Sequence, residues 1–304
     1  MSAMSVASRR KRKKTILPYL LILPTFVFVA MFTAWPTLLA LYQSFFKQRL
    51  NIAKFREPTW IGLGNYTSLL GDERFLLVLK NTLIFVLVTA PLSIVLGFLF
   101  ALLINRKIRG IGPARLAFFQ PTILPMVSAA TIWMFFFTPD YGLWNTFLGH
   151  LGYTGPQNWT GNPKLALMAI MIVAIWKNAG YYMIFYLAGL QNLPTDVYEA
   201  ATLDGASGWQ MLWQITFPLL RRTTLFVSTI AFIGAFQMVD HIFVLTKGGP
   251  SRASTILLYY LWQMRFENQD VGKASAITLV LILFLLIFTV TNFVLSERKE
   301  DNHA

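Results

Sequence analysis

Long uncharged runs of apolar residues limit most strongly what this chain can fold into. Crossing a bilayer as a helix takes about 20 apolar residues, and six segments reach that length: 16–46, 81–104, 116–137, 165–190, 223–246 and 274–296. Only 13% of the residues are charged, against about 25% in soluble domains. Since every backbone polar group needs an internal partner inside lipid, such runs predict helices. We therefore predict an all-α, polytopic membrane protein with six transmembrane helices.

Basic residues in the short flanking segments predict how these helices are oriented. The first run follows a basic cluster, Arg9 to Lys14, and is longer than the apolar region of a signal peptide, which indicates a retained anchor. The other basic residues that flank the spans on the same side are Arg106, Lys107, Arg109, Arg115, Arg221, Arg222, Arg298 and Lys299. Because cytoplasmic loops carry an excess of Lys and Arg, we expect this side, with both termini, to be cytoplasmic.

The composition argues against several other classes of protein. Cysteine is absent and the three histidines, His150, His241 and His303, lie far apart, so the chain has no thiolate metal site and no HExxH helix. It also has no GxxxxGK[ST] loop, and therefore no recognisable means of hydrolysing ATP. The net charge of +13 is spread over the tail and the membrane loops, without a folded basic domain, which argues against nucleic-acid binding.

A polar segment, residues 194–220, lies between the fourth and fifth spans on the predicted cytoplasmic side. Pro194 and the threonine after it are typical of a helix start, and Gly205 can take the left-handed conformation that ends a helix. Ser207 and Gln210 match a capping box, which predicts a second helix. We expect Pro218 to break that second helix. The pattern predicts two short helices joined by a glycine corner.

Two interpretations of this helix pair follow from its residues. An amphipathic pair can lie on the lipid surface, or it can dock into a groove of a protein partner. Asp196, Glu199 and Asp204 are acidic, whereas helices that lie on anionic lipid tend to be basic. The acidic and aromatic composition therefore favours docking into a protein.

The same segment resembles a known family motif. Glu199-Ala200-Ala201, Asp204-Gly205-Ala206 and Ile215–Pro218 resemble the EAA loop of bacterial ABC importer permeases. The resemblance covers nearly the whole chain and is closest to the first permease of maltose- or glycerol-3-phosphate-type systems, in their compact form. The residues that extend it are Trp35-Pro36, Ser44-Phe45, Gly62-Leu63-Gly64-Asn65-Tyr66, Asn81-Thr82, Gly142, Asn145, Thr246-Lys247-Gly248-Gly249-Pro250, Gly272 and Ala274-Ser275-Ala276.

This resemblance implies an architecture and a set of partners. A five-helix, MetI-like permease core would span 81–296, preceded by a basic tail (1–15) and a first helix with its outer loop (16–80), and followed by a tail (297–304). The protein would lie in the bacterial plasma (inner) membrane, surrounded by lipid. It would pair with a second permease, with a dimer of ATPase subunits that bind ATP and Mg, and with an extracytoplasmic substrate-binding protein. No cofactor is expected in this chain itself.

The resemblance also implies roles for particular residues. The residues expected to couple the chain to the ATPase are Glu199, Ala200, Ala201, Asp204, Gly205, Ala206 and Pro218. The solute would be a sugar or a related compound: an oligosaccharide, a polyol or glycerol phosphate. The chain would form half of the translocation path for it.

Polar residues inside the spans suggest where a solute could pass. Lys177 lies near the middle of the fourth span, where a lysine costs roughly 2.5–3.5 kcal/mol on insertion scales, so it is expected to face a cavity or a partner. The other candidate path residues are Asn178, Tyr181, Tyr182, Gln237 and Asp240. An alternative is that Lys177 pairs internally, with Asp240. We interpret His241 as an interfacial side chain.

Small residues in the second span predict how closely it packs against a neighbour. Ser93, Gly97 and Ala101 recur every four residues, a pattern that predicts a close helix approach.

A stand-alone secondary transporter or channel is the alternative function. Such a protein is expected to carry acidic relays or internal repeats, whereas Asp240 is the single acidic residue in a predicted span. A membrane enzyme would need a cluster of His, Asp or Glu, which the sequence lacks.

Overall fold

A computed structural model describes residues 18–105, 110–155 and 157–300, with side chains described up to residue 294. The basic cluster Arg9 to Lys14 and the loop residues Arg106, Lys107 and Arg109 lie outside the described residues. The chain forms two compact units. One combines the residues up to 68 with 264–279, and the other combines 69–263 with the residues from 280 onward.

The first unit is built around one long helix and the loop that follows it. Helix α1 (Pro18–Ser44) contains a π-helical turn and leaves nearly all its side chains exposed. Strands β1 (Phe46–Lys47) and β2 (Thr59–Trp60) form an antiparallel pair, and a 3₁₀ turn (Ala53–Phe55) lies between them. Helix α2 (Gly64–Leu70) starts in this unit.

Polar side chains hold the loop after α1 together. Asn65 Nδ2 donates to the carbonyls of Ser44 at 2.8 Å and Phe46 at 2.9 Å. Arg49 Nε donates to Asp270 Oδ2 at 2.6 Å, and Asp270 is buried. A Cβ on Gly272 would collide with the carbonyl of Phe46, which explains why this position has no side chain. Asn65 and Gly272, two of the motif positions, thus serve the packing of this loop.

The second unit contains the remaining helices, and α13 begins in the first unit. They are α3 (Glu73–Ile104), α4 (Ile111–Ile123), α5 (Met126–Phe136), α6 (Leu143–His150), α7 (Ala166–Gln191), α8 (Thr195–Leu203), α9 (Gly208–Gln210, continued by π-helical Met211–Thr216 and by Phe217–Leu219), α10 (Arg221–Gln237), α11 (Asp240–Leu245), α12 (Leu257–Trp262, followed by a π-helical turn, Gln263–Glu267) and α13 (Val271–Glu300).

The core of the second unit forms where α3 packs along α7. Ser93, Gly97 and Ala101 of α3 are buried there. A Cβ on Gly97 would lie 2.9 Å from Tyr182 Cβ and 3.0 Å from the carbonyl oxygen of Ala179. The predicted close approach of a small-residue face is therefore confirmed, because only small side chains let two backbones come this near.

Five of the predicted spans qualify as membrane spans by length and composition, and the sixth is a sharply bent pair of helices. The described residues contain five helices, or pairs of helices, long and apolar enough to cross a membrane. The predicted span 116–137 is instead the pair α4 and α5, bent by 104°. Leu124 is extended there because Pro125 follows it, and proline disfavours a helical residue before it. The pair counts as a sixth span only if its two arms cross together.

Two further boundaries differ from the predicted ones. Helix α3 begins at Glu73 and not near residue 81, because the Asp72 side chain accepts a hydrogen bond from the Arg74 N–H and caps the helix. The fifth span, predicted as 223–246, is interrupted between α10 and α11, where Met238 is extended. The first correction lengthens the span at its N-terminal end, and the second opens the backbone near the candidate path residues.

Candidate functional site

The segment 194–220, called here the coupling segment, folds as two short helices with a glycine corner. Helix α8 begins at Thr195, as predicted. At its end Gly205 has a φ of 77°. The Gly205 N–H bonds to the carbonyl of Thr202 at 3.1 Å, and the Ala206 N–H bonds to that of Ala201 at 3.0 Å. These two bonds form a Schellman motif, which satisfies the last carbonyls of the helix and reverses the chain.

The second helix of the coupling segment begins with the predicted capping box. The Ser207 N–H donates to Gln210 Oε1 at 2.8 Å, and the Gln210 N–H donates to Ser207 Oγ at 3.3 Å. The prediction that Pro218 breaks this helix is wrong, because the helix runs through Pro218 to Leu219. The wider π-helical turn just before it, which bonds residues five apart, removes the carbonyl clash that proline meets in an α-helix.

The tip of the coupling segment exposes both acidic and apolar groups. Glu199 and Asp204 are exposed, as are Ala200, Gly205 and Pro218. Leu203 is 88% exposed and Trp209 is 70% exposed. Ala201 is buried and Ala206 is half-buried, so these two small residues face the rest of the segment. Leucine and tryptophan side chains this exposed at one tip are characteristic of an interaction surface.

Aromatic and hydroxyl contacts connect the coupling segment to the spans. The hydroxyl groups of Tyr198 in α8 and Thr216 in α9 are 2.9 Å apart. A row of aromatic rings then leads from α9 to α3 and α7, with centroid distances of 5.5, 5.4, 6.0 and 5.3 Å between successive members: Trp209, Trp213, Phe217, Phe98 and Tyr186. This row of rings forms a continuous path of packed side chains between α9 and the core.

Lys177 makes its contacts inside the protein, away from the other candidate path residues. Its Nζ donates to three carbonyl oxygens at the break between α4 and α5, at 2.6, 3.1 and 3.3 Å: those of Leu124, Pro121 and Thr122. Asp240 is exposed and does not pair with Lys177. The alternative that Lys177 pairs inside the protein is therefore correct, but its predicted partner, Asp240, is wrong. A cation also suits the carbonyl end of α4, where the helix dipole is negative.

Two other candidate path residues meet in a small polar cavity between α3, α7 and α10. Asn178 and Tyr182 line it together with Thr89, Ser93 and Met238, and its volume is about 10 Å³, close to the size of one water molecule. Asn178 Nδ2 donates to the carbonyl of Ala174 at 2.8 Å. The cavity is far too small for a sugar in this conformation.

The remaining candidates lie apart from that cavity. Tyr181 is exposed, and Gln237 and Asp240 are exposed on either side of the backbone break between α10 and α11. The interpretation of His241 as an interfacial side chain is wrong: it is fully buried, with its ring 5.6 Å from that of Phe85. The extended Met238 before α11 turns this helix inward, where α11 packs against α5.

From the sequence, Ser93 was identified only as a packing residue, and Thr89 was not identified at all. Both side chains line the cavity, and their spacing of four residues places them on one face of α3. That spacing is the signal that was available in the sequence. Over the described part of the chain, no three His, Asp or Glu side chains come close enough to hold a metal ion.

Comparison with known proteins agrees with this fold. Residues 82–300 match the family described as "Binding-protein-dependent transport system inner membrane component". The chain is 33% identical to the sn-glycerol-3-phosphate transport system permease protein UgpA of Agrobacterium fabrum over 93% of its length and 96% of the relative. It is 32% identical to the trehalose/maltose transport system permease protein MalF of Thermococcus litoralis, over 98% of this chain and 99% of the relative.

A solved structure has the same fold. A chain of a bacterial ABC transporter involved in the import of the acidic polysaccharide alginate superimposes with a TM-score of 0.80 at 23% sequence identity, covering 97% of this chain and 99% of that one. The chain belongs to the family of binding-protein-dependent transport system inner membrane components. It is a multi-pass permease subunit of the inner membrane with a MetI-like fold, a transport protein and not an enzyme.

Proposed function

We propose that this chain is one of two permease subunits of an ATP-driven importer for a sugar or a related polyhydroxylated solute. It forms half of the translocation path, and a similar second permease forms the other half. Two ATPase subunits, which bind ATP and Mg, lie on the cytoplasmic side together with both termini of the chain. An extracytoplasmic binding protein delivers the solute on the opposite side. The chain itself carries no cofactor.

The observation that carries this proposal is the coupling segment. Its Schellman corner and capping box form a compact projection, and the tip of that projection exposes Glu199 beside apolar Leu203 and Trp209. A helix tip with an exposed leucine and an acidic side chain is complementary to a groove with an apolar floor and a basic rim. We assign that groove to the ATPase subunit.

The proposed mechanism follows from the contacts between the coupling segment and the spans. Closure of the ATPase dimer around ATP moves the groove, and the coupling segment moves with it. The aromatic row from Trp209 to Tyr186 passes the displacement to α3 and α7, which form the core. The broken spans at Pro125 and at Met238 supply backbone hinges about which the core rocks between inward-open and outward-open states.

The class of solute is inferred from the relatives. Their names refer to glycerol 3-phosphate, trehalose and maltose. The solved structure with the same fold is that of a transporter involved in the import of alginate. These compounds share several hydroxyl groups. Side chains such as Asn178, Tyr182 and Ser93, with amide and hydroxyl groups, are suited to exchange hydrogen bonds with such a solute once the core opens.

The first test is the composition of the complex. The tagged chain, extracted in mild detergent, is expected to co-purify with one different permease and two ATPase subunits, as measured by native mass spectrometry. Recovery of the chain alone, or as a homo-oligomer that takes up solute with an ion gradient, would support the alternative of a stand-alone secondary transporter or channel.

The second test addresses Glu199 directly. Glu199→Ala is expected to abolish ATP-driven uptake while the amount of the chain in the membrane stays unchanged, since Glu199 is exposed and makes no ion pair among the described residues. Glu267→Ala, another exposed acid on the predicted outer side, serves as the control and should transport normally. Normal uptake by Glu199→Ala would remove Glu199 from the coupling role.

A further inference from the structure

The loop after α11 has a rare backbone conformation. Lys247, Gly248, Ser251 and Arg252 have φ angles of 49°, 76°, 49° and 64°. Three of the four are not glycine, and residues with a Cβ rarely adopt this left-handed region. Such conformations persist where the surrounding structure holds them and where the position of the side chain serves a purpose.

Hydrogen bonds from a neighbouring span hold this loop in place. Asn81 Nδ2 in α3 donates to the carbonyl oxygens of Arg252 at 3.0 Å and of Thr255 at 3.2 Å. The Thr255 hydroxyl in turn donates to the carbonyl of Gly248 at 2.8 Å. Because Asn81 is buried in the core, these bonds fix the position of Arg252 relative to α3.

Arg252 lines an open pocket of about 450 Å³, called here the arginine pocket. Its other lining residues are Glu73, Arg74, Leu77 and Ser251. The guanidinium of Arg252 lies 5.7 Å from the ring centre of Tyr260, and its Nη1 is buried without a hydrogen-bond acceptor. No carboxylate of the described residues forms an ion pair with this guanidinium, and Arg252 is only half-buried where it lines the pocket, so its charge is available to a ligand there.

The charge of the arginine pocket is suited to an anion. Arg74 is exposed in the first turn of α3 and makes no ion pair among the described residues. The positive end of the α3 dipole adds to the potential there. Glu73 is the one acidic residue that lines the pocket, so two guanidinium groups outweigh one carboxylate. Guanidinium groups bind carboxylate and phosphate oxygens through paired hydrogen bonds.

We propose that the arginine pocket is a binding site for an oxyanion, a phosphate or carboxylate group, held by Arg252 and Arg74. Its position on the outer face rests on the proposed orientation of the chain, but the binding of an anion does not. The oxyanion belongs either to a solute that reaches the outer mouth or to an acidic side chain of the binding protein. Both sources present the same oxygen atoms to the two guanidinium groups.

The test uses the chain with its co-purifying subunits in nanodiscs and inorganic phosphate as the probe. Phosphate is expected to raise the thermal midpoint of the wild-type complex, since a ligand of the folded state stabilises it by mass action. R252Q and R74Q should each weaken the apparent affinity for phosphate by about tenfold or more. E73Q should strengthen it, because it removes the opposing carboxylate. K80Q, an exposed cation on α3 outside the pocket, should match the wild type.

Two further measurements distinguish the source of the oxyanion. If it belongs to the binding protein, phosphate should compete with the association of that protein, and R252Q should weaken the association. If it belongs to the solute, the association is unchanged and R252Q raises the Kd of glycerol 3-phosphate. The proposal is overturned if phosphate leaves the wild-type midpoint unchanged, or if R252Q and R74Q respond to phosphate like the wild type. Because phosphate binding requires no transport, this result is independent of the test at Glu199.

Discussion

The coupling segment and the surroundings of Lys177 differ in how their geometry is determined. In the coupling segment, the bonds that shape the corner and the cap join residues at most five positions apart, such as Ala206 to Ala201 and Ser207 to Gln210. At Lys177 the three acceptors lie 53 to 56 residues away in sequence. One region is specified by its own residues, and the other by the way two spans pack.

The two regions also differ in what replaces a lost hydrogen bond. The tip of the coupling segment is exposed, so water can bond to a group that loses its partner. The carbonyls at the break between α4 and α5 lie in a pair of helices that are together apolar enough to enter a membrane, where water is scarce and an unsatisfied group is expensive. Substitutions should therefore have large effects at Lys177 and small effects at the corner.

The largest effect is expected from Lys177→Met, which keeps the length of the side chain and removes the ammonium group. Three carbonyl oxygens then lose a donor, at a cost of roughly 2–4 kcal/mol in stability. The thermal midpoint of the complex in nanodiscs should fall clearly. Lys164→Met, at an exposed lysine just before α7, is the control and should change it little. A midpoint that is equal in both variants would mean that Lys177 does not hold the break together.

A smaller effect, of roughly 1–3 kcal/mol, is expected from Asn81→Leu. The shape of the side chain is nearly kept, but the carbonyls of Arg252 and Thr255 lose their donor. Hydrogen exchange should increase selectively in residues 247–257. Asn51→Leu, at an exposed asparagine of another outer loop, gives the reference. Unchanged exchange in that loop would show that Asn81 does not fix Arg252.

These contrasts explain how much could be predicted from the sequence. The start of α8, the glycine corner and the capping box were predictable because each depends on a few neighbouring residues. The family motif at Glu199 to Ala206 was readable for the same reason. The bend at Pro125 was only partly predictable, since proline permits a break but the 104° angle depends on what packs against it.

The partners of Lys177 and the burial of His241 could not be predicted, because they depend on which spans are neighbours. A lysine in a span indicates a polar partner, but periodicity does not say whether that partner is a carboxylate or a set of carbonyls. The packing face of Ser93, Gly97 and Ala101 predicted that α3 has a close neighbour without identifying it as α7. The residues of the arginine pocket lie far apart in sequence and are brought together by packing against α3, with Asn81 bonded to the carbonyl of Arg252.

Gly205→Ala tests whether the corner is determined by the backbone conformation of its own residues, because the added Cβ causes no steric clash. Nothing lies within 4 Å of a Cβ at this position, so the cost comes from the φ of 77° alone, about 1 kcal/mol. Gly208→Ala is a matched control, because its Cβ is equally free and its φ is not in the left-handed region. Hydrogen exchange should rise in residues 200–206 only for Gly205→Ala. Equal exchange in both variants would show that the left-handed residue does not limit the stability of the corner.

The smallest effect concerns the contact between the hydroxyl groups of Tyr198 and Thr216, which joins the two helices of the coupling segment. A double-mutant cycle with Tyr198→Phe and Thr216→Val should give a coupling free energy of about 0.5–1 kcal/mol, measured by hydrogen exchange of α8. The aromatic row begins on α9, whereas Glu199 lies on α8. In the proposed mechanism, force from Glu199 would therefore have to cross from one helix to the other. If the contact carries it, the double variant should need more ATP per solute imported while it still folds. If the ATP cost is unchanged, the glycine corner itself is stiff enough to keep the two helices together, and local structure alone accounts for the coupling.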